Sequence, residues 1–111
     1  MNPTEALADL VVREHNARLA DALRRGNREI FKGVLRFSSI LHRGFVRWEP
    51  ETRVSQAQQD PLSLCVPVRH SPMTIEEART LVADADMRAE AFKLMNKDKF
   101  PLIHGESLPK A

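Results

Sequence analysis

Residues 19–48 read LADALRRGNREIFKGVLRFSSILHRGFVRW. Within them Leu19, Leu23, Gly26, Ile30, Gly33, Phe37, Ile40 and Gly44 recur in alternating steps of four and three. On a helix that spacing puts all eight on one side, the pattern of a coiled-coil seam. Working outward at 100° per residue, Ala8, Val11, Val12, His15 and Ala22 extend the face on one side and Trp48 closes it on the other. Gly26-Asn27 is by itself a common helix stop, yet the phase survives it. Two arrangements stay open: one helix from Thr4 to Trp48, or a helical hairpin folded at Gly26-Asn27. The uninterrupted helix would be ~68 Å long against a radius of gyration near ~13 Å for a compact chain of this size, so its stripe would need a second copy or a partner helix. Three glycines at ~1 kcal/mol each keep the hairpin open.

The flanking sequence completes an all-α expectation. Thr4 is the expected N-cap, with Glu5 against the positive end of the helix dipole. Glu49-Pro50 ends the first element, and residues 49–61 read as a polar linker. Leu62 to Val68 is a short apolar run with Pro67 inside it, an extended segment or edge strand but not a central one. Thr74-Ile75-Glu76-Glu77 is a capping box that starts a second helix running to Lys97. Ile75, Ala78, Leu81, Val82, Ala85, Ala89 and Phe92 share its apolar face, and Asp84 and Asp86 mark an expected break. The result is a single small helical domain over 1–111: first helix or hairpin 4–48, linker and extended segment 49–73, helix 74–97, and tail 98–111 with Phe100, Leu102 and Ile103 as anchors.

Composition bounds the function. With 42% apolar and 29% charged residues the chain folds rather than staying disordered. Its single cysteine, Cys65, permits no internal disulfide. There is no basic N-terminal region followed by an apolar run, and no stretch approaches the ~20 apolar residues of a membrane span. The expectation is a cytoplasmic protein without membrane contact. Net charge is only +2, but Arg13 to Arg47 holds nine basic and three acidic residues. On the long helix Arg18, Arg25, Lys32, Arg36, Arg43 and Arg47 form a basic stripe beside the apolar one, suited to nucleic-acid phosphates or an acidic protein, or serving only as a solvated face.

Chemistry is harder to find. His15, His42, His70 and His104 lack partners at metal-ligand spacing, and His15 reads as a hydrogen-bonded core or interface histidine. Cys65 sits in an apolar run, Glu77 is explained by capping, and no glycine-rich phosphate loop is present. No catalytic residue, metal site or cofactor is expected. The expected function is a small non-enzymatic regulatory or adaptor protein, most simply a homodimer. It binds another protein through Leu19, Leu23, Gly26, Ile30, Gly33, Phe37, Ile40, Gly44 and Trp48, and could inhibit a larger factor by covering its dimerisation or effector surface. The alternatives are a nucleic-acid-binding accessory protein using the basic stripe, or a structural component of a larger assembly.

Overall fold

A computed structural model describes residues 2–39 and 42–97. Helix α1 (Pro3–Arg25) begins at Asn2, whose Oδ1 accepts the Glu5 N–H at 2.8 Å, with Pro3 at the first helical position. The cap is therefore Asn2 rather than Thr4. The helix stops at Gly26, which lies in the left-handed region at φ 65°. The Asn27 N–H reaches back to the Ala22 carbonyl at 3.0 Å, the 6→1 bond of a Schellman motif, and the Gly26 N–H shares the same oxygen, the 5→1 bond of the αL cap. Asn27 Oδ1 then accepts the Glu29 N–H and opens the single-turn helix α2 (Glu29–Lys32). At 23 residues α1 is ~34 Å long, half the length of the continuous helix. The stop signal at Gly26-Asn27 prevails over the phase continuity.

Beyond α2 the chain forms a sheet, so the all-α class and the 4–48 helix or helical hairpin are corrected to α+β. Strand β1 (Val34–Ser38) pairs antiparallel with β2 (Val46–Glu49) and with β3 (Ser63–Pro67), giving the order β2-β1-β3. Between β1 and β2 the Ser39 carbonyl accepts N–H groups from His42, Arg43 and Gly44, and Gly44 takes φ 66°. Side chains alternate across a strand. Leu35 stands opposite Trp48 and Val66, and Phe37 opposite Val46 and Leu64. Leu35, Phe37, Val46, Leu64 and Val66 pack on α1 and on the long helix α4 (Ile75–Met95) through Leu7, Ala8, Val11, Ala78, Val82 and Ala85, while Trp48 packs in a second cluster with Leu19, Ala22, Ile30 and Val68. Arg36, opposite Arg47 and Cys65, faces the other way. The linker expected at 49–61 is part of the fold: it supplies the end of β2, a 3-10 turn (Glu51–Arg53) and helix α3 (Val54–Gln58).

The second helix follows its reading closely. Thr74 and Glu77 form the capping box, and Ala78, Val82, Ala85 and Ala89 are buried. It runs unbroken through Asp84 and Asp86: Asp84 pairs with Arg88 at 3.4 Å, and Asp86 accepts the Ser39 hydroxyl at 2.7 Å. The Leu62–Val68 run is an edge strand with Pro67 at its end. Helices α1 and α4 run antiparallel, since Asn16 brackets the Met73 backbone with two hydrogen bonds and Glu5 binds Arg79 Nε at 2.9 and 3.1 Å. His15 is fully buried. Its Nε2 accepts the Arg69 N–H at 3.0 Å, so the proton sits on Nδ1, which donates to Asn16 Oδ1 at 2.9 Å.

No described helix is long and apolar enough to cross a membrane. The expected tail over 98–111 lies outside the described residues, as does Ile40.

Candidate functional site

The strand order forces the site into being. β2 and β3 flank β1, so the chain between them must cross the outer face of β1. It does so as the 3-10 turn and α3, with Ala57 buried beneath. The crossing stops short of covering the whole face, and leaves a cleft of about 550 Å³ lined by Arg36, Arg47, Glu49, Arg53, Gln56 and Gln59, among others.

Arg36 is the centre of this cleft and is only 17% exposed. Its Nη2 donates to Asp60 Oδ2 at 2.7 Å, its Nε to the Ser63 hydroxyl at 3.1 Å, and its Nη1 lies 3.8 Å from Glu49 Oε1. Arg47 Nε reaches the same Glu49 oxygen at 2.9 Å. Both guanidinium groups also stand over the Phe45 ring, at 5.5 and 4.6 Å from its centre. Burial alone would raise the Asp60 carboxyl. Hydrogen bonds from the Leu62 N–H, Arg36 and Ser63 outweigh it and hold the group below its ordinary value, so it stays an anion beside Arg36. Two carboxylates thus answer Arg36 and Arg47, and the buried Arg36 guanidinium is held by Asp60, Ser63 and Glu49 together. Arg53, exposed on the 3-10 turn, has no acidic partner among the described residues. The cleft therefore holds one net positive charge, presented with the amides of Gln56 and Gln59.

Cys65, the potential nucleophile on β3, is half-buried, and burial pushes its thiol up, away from the reactive thiolate. Among the described residues no three His, Cys, Asp or Glu side chains gather as metal ligands. Guanidinium groups only donate, the Gln amides donate through their NH2, and such donors match carboxylate or phosphate oxygens.

The residues expected to form a seam are dispersed by the fold. Leu19 and Ile30 are buried together with Ala22 and Val68, and Phe37 is buried in the main core. These three pack within the chain itself. Leu23 is 66% exposed, and Gly26 caps α1 beside it. Gly33 does permit a close approach, but of this chain's own strand: a Cβ there would lie 2.7 Å from two Trp48 ring atoms. Trp48 donates its indole N–H to the Ile30 carbonyl at 3.2 Å and carries Arg18 over its ring at 5.8 Å. Gly44 serves the hairpin turn.

The basic stripe is dispersed likewise, because a helical period was applied across a strand pair. Arg18 and Arg25 lie on α1 beside Glu14 and Asp21, and Lys32 on α2 beside Glu29. Arg43 is exposed in the hairpin loop. Only Arg36 and Arg47 meet. Arg53, Gln56 and Gln59 went unnoticed in a segment read as a linker. The signal that could have placed Arg36 beside Arg47 is the period-two run of Leu35-Arg36-Phe37 with Val46-Arg47-Trp48, which makes a hairpin and sends both arginines to one face.

Comparison with known proteins finds no matching family model, no matching curated protein and no matching solved structure.

Proposed function

We propose that this chain is a small non-enzymatic regulatory or adaptor protein of the cytoplasm, which binds an acidic segment of another protein across the outer face of its sheet. The observation that carries the reading is the neighbouring pair Arg36 and Arg47 beside Arg53, whose own charge no described carboxylate answers. Exposed ion pairs contribute about 0.2–1 kcal/mol each, so a cleft whose one unanswered guanidinium is Arg53 gives weak, salt-sensitive binding that suits reversible regulation. An acidic polypeptide fits better than a nucleic acid. The basic side chains do not line up into one track along which a phosphate backbone could run, and most already face a carboxylate. Pairing of two copies would have to use a face other than Leu19, Ile30 and Phe37, and α4 offers exposed Met87, Leu94 and Met95.

The test is calorimetric titration with an octaglutamate peptide and, separately, with mixed-sequence DNA and RNA at about 20 mM salt and again at 150 mM. The peptide is expected to bind at low salt, and Arg47→Gln with Arg53→Glu is expected to weaken it by about tenfold or more. No peptide binding at low salt refutes the reading. Tighter binding of nucleic acid that responds to the same substitutions transfers the site to phosphate recognition.

A further inference from the structure

The Schellman turn that ends α1 makes a second hollow, with no residue in common with the outer-face cleft. At Gly26-Asn27 the chain folds α2 back beside the last turn of α1, and His70, after β3, closes the third side. The hollow measures about 460 Å³. Ala22, Leu23 and Phe31 form its apolar floor, and the His70 ring is stacked on Phe31 with centres 4.0 Å apart and planes 13° from parallel. Leu23 remains 66% exposed there. No atom stands within 4 Å of where a Cβ on Gly26 would lie, so the space next to the leucine is unfilled. An apolar side chain entering it would cover Leu23 and Phe31 from water, the non-directional driving force of most associations.

The rim selects what accompanies that side chain. Residues 21–32 hold four basic groups (Arg24, Arg25, Arg28 and Lys32) and two acidic ones (Asp21 and Glu29). Asp21 is shared between Arg24 at 2.6 Å and Arg25 at 3.1 Å, and Glu29 pairs with Lys32 at 3.3 Å. Arg28, which lines the hollow, has no carboxylate partner among the described residues. The end of α1 contributes about half a negative charge, less than the surplus of two positive ones. An apolar floor under a cationic rim is complementary to an apolar group flanked by carboxylates.

We propose that this hollow is a docking site for a large apolar side chain carried on an acidic segment of a partner protein. It rests on the proposed function only in taking a protein as the partner. Leu23 and Gly26 thus meet a partner after all, at the mouth of a pocket rather than along a rod.

The experiment uses the full chain carrying Arg47→Gln and Arg53→Glu, which disables the outer face. It is titrated calorimetrically with the N-acetylated peptide Glu-Glu-Leu-Phe-Glu-Glu and with its counterpart Glu-Glu-Ser-Ser-Glu-Glu. The Leu-Phe peptide is expected to bind about tenfold tighter or better, and Leu23→Asp and Arg28→Glu are each expected to abolish that advantage. Both positions are exposed, so far-UV circular dichroism and the thermal midpoint should stay unchanged and separate a lost site from a lost fold. Equal affinities for the two peptides, no binding of either, or an advantage that survives Leu23→Asp overturns the proposal. Failure of the outer-face reading shows separately, as octaglutamate binding to the otherwise unaltered chain that ignores Arg47 and Arg53.

Discussion

The imidazole Nε2 of His15, on the first helix, accepts the backbone N–H of Arg69, 54 residues later, at 3.0 Å. This bond, with the Asn16 bracket on Met73, ties the segment between β3 and α4 to α1. A buried polar ring whose both nitrogens are engaged acts as a structural joint.

Replacing His15 with Ala removes the joint, opens a void and leaves the Arg69 N–H without an acceptor. Lost packing and an unsatisfied donor together put the destabilisation at about 2–4 kcal/mol. Urea unfolding followed by circular dichroism measures it. A loss below about 1 kcal/mol would mean that water replaces the ring and that the joint is dispensable.

The two glycines of the former seam should separate. Gly26→Ala meets no atom but must hold a left-handed backbone, at a cost of about 1–2 kcal/mol. Gly33→Ala has an ordinary backbone, with φ at −90°, but drives its methyl into the Trp48 ring and the Glu49 carbonyl. Overpacking against backbone, which cannot turn aside, should make Gly33→Ala the more damaging of the two. Thermal midpoints of the pair decide this, and the reverse order would mean that β2 shifts freely.

Acid should weaken the start of α4. Glu77 is held down to about 2 from 4.5, first by the Arg69 guanidinium and then by the Thr74 N–H. A carboxyl depressed on folding adds stability that is complete above its unfolded value and is lost as the pH falls through the folded one. The Glu77→Gln variant should therefore melt below the natural protein at pH 7, and the gap should close between about pH 4.5 and pH 2. A pH-independent gap would place the effect in packing rather than in charge.

Cys65 should resist modification. Its thiol is half-buried and pushed up by burial, with nearby Arg36 only partly opposing the shift. At pH 8 a disulfide reagent is expected to label the native chain at least about tenfold more slowly than the urea-unfolded chain, since the thiolate is the nucleophile. Equal rates would show that the β3 edge opens freely.

The long C-terminal helix was legible because its signals are local. Thr74 and Glu77 lie three residues apart and cap each other whatever surrounds them. Pro67 demoted its strand to an edge by the lack of one N–H, a property of the residue alone. The hairpin was missed because seven-residue spacing serves two structures. Ile30 and Phe37 stay in phase on a helix, yet Ile30 is buried on α2 and Phe37 on a strand, in separate clusters. Alternation over only four or five residues was outweighed by a longer pattern that crossed a real stop. With the hairpin unseen, Arg36 and Arg47 could not be placed side by side, and the crossing segment that brings Arg53 and Asp60 to them looked like a spacer.

The antiparallel embrace of α1 and α4 has a consequence for biosynthesis. The buried side chains Leu7, Ala8 and Val11 find their covering residues Ala78, Val82 and Ala85 some seventy positions downstream. While the ribosome is still making the sheet, the earliest helix has emerged with its oily flank unattended. Such distant pairings close slowly. The nascent chain should therefore be a client for chaperones until α4 has been translated, and a ribosome stalled before Ile75 should leave a product that aggregates.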